Sequence, residues 1–396
     1  MLLLTASVTS CAFSTLGRDL QELEGWGVIR GTLDPPATSD RPILVAAFQT
    51  DESQPWAVDH VHAYDYLSGP REFALVVPEG EYFLWASEDP DRNGEMRPGE
   101  RYALHPEPVS VGPELPEPHV ALELDHVFTG HEPEFENRIV EEQLIAAGEV
   151  ASLDDPRFQP ENARTHFWHP LEALEHGAVG VFYLEEYDPQ RTPVLFVHGI
   201  LGTASDFAWL TEHLSPERHQ FWVAQYPSAL PLDITAETFA FLVSELHAFH
   251  RYEQLCVVAH SMGGLVARRM MDHIGTGVPV TGLATIASPL EGVGTARVGA
   301  RWAPVAAPSW VDVAPGSAFL ESLYDTPLDP TTHYRMLFTY LPGRSGDGVV
   351  QTASQLREEA QREAGRIRGI RDTHTGVLAN EATLESLTDF LERCGR

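Results

Sequence analysis

The stretch Leu255-Cys256-Val257-Val258-Ala259-His260-Ser261-Met262-Gly263-Gly264 constrains this chain more than any other. A continuous apolar run reads as a strand buried on both faces, and a helical pattern resumes at Leu265. The same alternation holds around it. Val194 to Val197 is an apolar strand that ends in His198-Gly199-Ile200-Leu201-Gly202, and a helix carrying Phe207, Leu210 and Leu214 follows. Phe221 to Ala224 is the next strand, and Thr235 to His250 carries Phe239, Leu242, Val243 and Leu246 at helical spacing. Strands alternating with helices imply an α/β unit with a mostly parallel, doubly wound sheet.

Ser261 stands where a strand must turn sharply into a helix. Ala259 and Gly263, two residues to either side, are small, as a tightly packed turn requires. A serine that merely caps a helix would not need those neighbours. At a helix N-terminus, backbone N–H groups and the dipole favour negative charge, so the position suits a nucleophile. Such a serine needs a histidine base oriented by a carboxylate, in the chain order serine, acid, histidine. Three histidines follow Ser261. His273 lies three turns along the following helix, and His333 precedes the strand Tyr334 to Tyr340 at the wrong end of a parallel sheet. His374, in a loop between a strand at 365–369 and a terminal helix at 381–393, is left as the base. Asp347 follows the strand Arg335 to Tyr340 and is the expected acid, with Asp372 as runner-up by proximity.

The run Val257 to Gly264 resembles the nucleophile elbow of the α/β-hydrolases, with alanine at 259 in place of the usual first glycine. His198-Gly199 resembles the oxyanion-forming segment of lipases and esterases, and Asp347-Gly348-Val349-Val350 resembles the acid loop of bacterial lipases. The resemblance spans roughly 177–391. It implies an α/β-hydrolase fold, a Ser261, Asp347, His374 triad, and an oxyanion hole from the backbone N–H groups of Ile200 and Met262. It also implies a cap at about 289–328, carrying Trp302, Trp310, Leu320 and Leu323, over an acyl-binding cleft. The expected activity is hydrolysis of carboxylic esters, acyl lipids or related compounds, without a catalytic cofactor. Acyl transfer through the same triad, or a non-enzymatic lipid-anchored binding protein, are the alternatives.

The chain has 396 residues, enough for two or three domains. Gly25 to Asp125 shows short alternating runs, with strands at 27–31, 42–48, 73–77 and 82–86 and a hairpin turn at Pro78 to Glu81. These predict an all-β sandwich, and the order of turn, aromatic strand and acidic loop resembles prealbumin-like domains. A connector at 126–176, with a helix over Glu132 to Gly148, separates it from the catalytic domain at 177–396. In the sandwich, Asp89, Asp91, Asn93 and Glu100 match the ligand spacing of an EF-hand loop around Gly94, so a structural calcium is expected there. The alternative is a solvated acidic loop.

Residues 1–10 form a short apolar leader, and Val8-Thr9-Ser10-Cys11 resembles the bacterial lipobox. The resemblance implies cleavage before Cys11, lipidation of its thiol and a place in the bacterial cell envelope, facing the periplasm or outer membrane. No apolar run reaches the roughly 18 residues of a membrane span. Only three cysteines occur. Cys256 reads as a small buried hydrophobe, with a bond to Cys394 left open. The charge is lopsided: formal net −32, with all 26 bases arginine. Such a chain repels phosphate backbones, which argues against nucleic-acid binding, and the absence of lysine excludes Schiff-base chemistry and a Walker A loop.

Overall fold

A computed structural model describes residues 10–34, 42–49, 61–67, 72–90, 96–129, 145–274 and 277–394. The chain divides into two units, residues 18–144 and residues 1–17 together with 145–396. Helix α1 (Ser10–Glu24) straddles the division.

The first unit holds strands β1 (Gly27–Asp34), β2 (Ile43–Phe48), β3 (Val61–Leu67), β4 (Glu72–Val77), β5 (Gly80–Glu88), β6 (Arg101–Leu104), β7 (Val109–Val111), β8 (His119–Glu123) and β9 (His126–Val127). They form a three-stranded sheet in the order β4-β1-β8 and a six-stranded sheet β3-β2-β5-β6-β9, with β7 also paired to β5. Pairing is antiparallel except between β1 and β8. Ile29, Val45, Leu75, Leu84 and Val120, drawn from both sheets, share one buried cluster. The expected hairpin at Pro78 to Glu81 is not one. β4 pairs with β1 and β5 with β2, so the turn carries the chain from one sheet to the other. Pro78 has no N–H with which to continue the ladder. The Tyr82 hydroxyl donates to the Pro78 carbonyl at 2.8 Å, and its burial pushes the phenol up to about 12.

The second unit begins well before residue 177. Strand β10 (Ala146–Val150) replaces the end of the helix expected over 132–148, whose residues 132–144 lie outside the described ones. Helices α2 (Pro160–Trp168) and α3 (Pro170–Glu175) follow it. His126–Val127 pairs with β6, so the described parts of the expected connector at 126–176 belong to one unit or the other.

The sheet then builds through β11 (Gly180–Tyr183), β12 (Thr192–Val197), helix α4 (Ala208–His213), β13 (His219–Gln225), α5 (Leu232–His250), β14 (Leu255–His260), α6 (Gly263–His273) and β15 (Val280–Ile286). Three short helices come next, α7 (Gly294–Trp302), α8 (Pro308–Asp312) and α9 (Ala318–Ser322). Then follow β16 (His333–Tyr340), α10 (Thr352–Gln355), α11 (Glu358–Glu363), β17 (Arg366–Arg371) and α12 (Glu381–Cys394). The strand order is β10-β11-β13-β12-β14-β15-β16-β17, parallel except between β11 and β13.

Every residue of β14 is buried, as a central parallel strand covered on both faces demands. One face of the sheet packs on α5 and α6 through Phe239, Val243, Leu265 and Met270. The other packs on α4 and α12 through Leu210, Leu387 and Phe390. From β12 the chain goes to β13 on one side and to β14 on the other. The carboxyl ends of β12 and β14 therefore flank a switch in strand order, where open α/β sheets leave a crevice for ligands.

Cys256 in β14 and Cys394 in α12 form a disulfide, with their Cα atoms 6.1 Å apart. The bond that the sequence left open ties the last helix to the middle of the sheet.

Candidate active site

Ser261 follows β14 directly and has φ of 54°, a left-handed conformation that a residue with a side chain rarely adopts. Its own N–H donates to Ile286 O at 2.8 Å, and its carbonyl accepts from Gly264 N at 3.0 Å. The turn is closed so tightly that side chains are excluded around it. A Cβ at Gly263 would sit 2.3 Å from His198 O, and one at Gly199 would sit 2.7 Å from Ser261 Cβ. The glycines read from the sequence are thus steric requirements of this elbow.

His374 and Asp347 reach the serine from loops after β17 and β16. His374 Nε2 lies 2.8 Å from Ser261 Oγ, and His374 Nδ1 lies 2.8 Å from Asp347 Oδ2. Those partners set the tautomer: Nδ1–H donates to the carboxylate, and Nε2 accepts the serine hydroxyl. All three side chains are buried. The Asp347 carboxylate is held by four further donors. The Val349 and Val350 amides donate to Oδ1 at 2.9 and 2.8 Å, and the Thr339 hydroxyl and the Gln355 amide donate to Oδ2 at 2.5 and 3.3 Å. Burial pushes this carboxyl up, but His374 and the other donors outweigh it and hold it below its ordinary value.

The histidines and the aspartate set aside lie elsewhere. His333 is exposed at the start of β16, and His273 faces Asp233 at 3.5 Å. Asp372 accepts from the Thr373 amide and from Asn380.

The amides of Ile200 and Met262 have no acceptor among the described residues. The loop bearing Ile200 is pinned from below. The Tyr226 hydroxyl donates to His198 O at 2.7 Å, its amide donates to His198 Nε2 at 3.3 Å, and its ring stacks on the imidazole at 4.3 Å. His198 Nδ1–H then donates to Gly199 O at 2.9 Å. The Leu201 N–H donates to Ser228 Oγ at 2.9 Å. Complete burial lowers His198 to about 4, so the ring is neutral in this network.

His260, next to the serine, was not singled out by the sequence. Its Nε2–H donates to the His374 carbonyl at 2.8 Å, and burial lowers it to about 3. Thr339 and Gln355 were missed as well. Each acts through a contact that only the folded sheet brings together.

The cap residues divide. Leu320 and Leu323 are buried in the core, and Trp310 packs on Phe167 and Trp168. Trp302, expected to line an acyl cleft, is instead 75% exposed.

The candidate calcium loop is only partly described. Asp89 and Glu100 are both buried, and Glu100 accepts from the Arg97 amide, whereas Asp91 and Asn93 lie outside the described residues. Among the described residues, no group of three or more His, Cys, Asp and Glu side chains is placed to hold a metal ion.

A central parallel sheet, a strained serine after β14, and an acid and a histidine on later loops define the α/β-hydrolase fold. Residues 194–375 match the family model described as Alpha/beta hydrolase family. No curated protein matches the sequence. Among solved structures, the mature form of the Bacillus licheniformis lipase BlEst2 is similar at 17% identity and a TM-score of 0.45, over 53% of this chain and 97% of that one. Aspergillus fumigatus lipase B is similar at 18% identity and a TM-score of 0.43, over 56% of this chain and 57% of that one. Legionella pneumophila phospholipase PlaB, in complex with thio-NAD, is similar at 19% identity and a TM-score of 0.35, over 41% of this chain and 44% of that one.

Proposed function

We propose that the protein is a serine hydrolase of carboxylic esters, acyl lipids or related esters among them. The reading rests on the hydrogen-bond chain Ser261 Oγ, His374 Nε2, His374 Nδ1, Asp347 Oδ2. His374 takes the hydroxyl proton as Ser261 Oγ attacks the ester carbonyl carbon. The C=O electron pair moves onto oxygen, and the resulting oxyanion is held by the Ile200 and Met262 amides. Collapse of that intermediate breaks the bond to the alkoxy oxygen, which leaves as the alcohol with the proton from His374. Water, deprotonated by the same imidazole, then cleaves the acyl-enzyme and returns the proton to Ser261. Asp347 stays ionised throughout, fixing the tautomer and balancing the imidazolium.

Ser261→Ala should lower turnover of p-nitrophenyl esters by several orders of magnitude and abolish labelling by a fluorophosphonate probe. Retained turnover would refute the assignment. Anchoring in the bacterial envelope through Cys11 is part of the same proposal, and it is supported by the lipobox-like approach to that cysteine and by a disulfide, which persists in oxidising compartments.

A further inference from the structure

Helix α7 lies in the stretch expected to form the cap, and its composition opposes the net charge of the chain. No acidic residue occurs from Gly292 to Val311, although the protein carries 58 acids and a net charge of −32. Within that stretch α7 buries Ala296, while Arg297, Val298, Arg301 and Trp302 are all exposed. Val298 is 50% exposed and Trp302 75%, and Val311 in α8 adds a third apolar group at 48%. The guanidinium of Arg301 lies 5.7 Å from the centre of the Trp302 ring. Neither Arg297 nor Arg301 pairs with a carboxylate among the described residues.

This face does not serve the core. Gly299, on the inner side of α7, backs onto Trp310, where a Cβ would come within 3.0 Å of the indole. Arg297 donates to the Pro315 carbonyl, which leaves both guanidinium charges without a carboxylate beside an exposed indole and two exposed valines, a combination that a solvated surface avoids. Together they match an interface where headgroups carry negative charge and the region beneath is apolar: tryptophan settles at that depth, and arginine binds phosphate there.

The N-terminal helix leads to the same place. Phe13 packs edge-on against Trp168 with ring centres 5.0 Å apart, Trp168 packs on Trp310 at 5.9 Å, and Trp310 lies under Gly299 of α7. Gly17 is close enough to Val305 that a Cβ there would lie 3.2 Å away. Phe13, two residues after Cys11, is thus joined to α7 by a continuous line of packed rings.

We propose that the exposed face of α7, with Val311, docks on the surface of a bilayer containing anionic lipids and turns the cap toward the membrane. The net charge of −32 opposes approach to such a surface, so the acid-free stretch from Gly292 to Val311 is where that repulsion is locally relieved. The proposal deepens the envelope reading, yet the face is present whether or not Cys11 is lipidated.

The test uses the full-length Cys11→Ser chain, so that no lipid anchor contributes. Co-sedimentation is measured with phosphatidylglycerol vesicles and with phosphatidylcholine vesicles at low and at about 0.5 M salt. Binding to the anionic vesicles alone, weakened by salt, is expected. Arg297→Glu with Arg301→Glu should weaken it about tenfold or more, and Val298→Ser with Trp302→Ser should do the same. Unchanged melting temperatures exclude loss of fold as the cause. Equal binding to both vesicle types, no binding to either, or charge-reversed protein that binds as before would each overturn the proposal. Failure of the anchor alone would instead show as wild type and Cys11→Ser partitioning alike into detergent, with α7-dependent binding intact.

Discussion

At the residue scale, the Asp347 carboxylate is the most constrained group in the site, with five donors on two oxygens. Thr339 and Gln355 reach Asp347 rather than Ser261, and in the proposed mechanism they hold the acid so that His374 keeps its tautomer and its aim at Ser261. A hydrogen bond to a charged group is worth about 1.5–3 kcal/mol, of which part reaches the transition state. Thr339→Val should therefore lower kcat for a soluble ester about tenfold and leave KM nearly unchanged, while Thr339→Ser, which restores the donor, recovers most of the loss. A fall in melting temperature with kcat intact would reduce Thr339 to a packing role. The serine, the histidine and the acid were legible because local spacing and chain order carry them. Thr339, Gln355 and His260 were not, since each is placed by a strand pairing or loop contact with no counterpart in the linear pattern. His260 came nearest to being found, being adjacent to the serine, but adjacency does not reveal that its ring reaches the carbonyl of a residue 114 positions away.

Elements were legible where both faces are buried and obscure where partners are chosen by topology. β14 and α5 declared themselves through unbroken or helically spaced apolar residues. The turn after β4 did not, because Pro78-Glu79-Gly80 has the same composition whether the next strand folds back on β4 or crosses to another sheet. β10 escaped too, since Ala146-Ala147-Gly148-Glu149-Val150 has little strand propensity and is held by its pairing with β11. The link between α12 and β14 is covalent, and it closes a loop spanning 138 positions. Cross-linking so long a loop stabilises by about 5 kcal/mol through the unfolded chain alone. Cys394→Ser should therefore lower the melting temperature by roughly 10 °C or more for a unit of this size. A reductant should bring wild type down to the same value and leave the variant where it is. If wild type and variant melt together without reductant, the bond contributes nothing to the fold.

For the whole molecule, the net charge of −32 sets up a contest as pH falls. Protonating surface groups relieves repulsion and favours the compact state, whereas protonating buried histidines opposes it. His198 and His260 are held neutral by burial at about 4 and about 3, against an ordinary value of 6.5. A histidine lowered in this way contributes stability that is complete above about pH 6.5 and is lost as pH falls toward its folded value, because the unfolded chain takes up the proton first. Each unit of pH costs about 1.4 kcal/mol per such group, so His260 alone should forfeit about 2 kcal/mol by pH 5. The net profile mixes this with the surface terms, but His260→Gln isolates it. Glutamine can still donate to the His374 carbonyl and never titrates, and every surface charge is shared with wild type. The stability difference between the two chains, from urea unfolding at a series of pH values, should be constant above pH 7 and shift against wild type by about 2 kcal/mol between pH 6.5 and 5. A difference that stays flat across that window would mean that His260 accepts a proton in the folded protein about as readily as in the unfolded chain. Its ring would then not be the neutral donor that holds the His374 loop over Ser261.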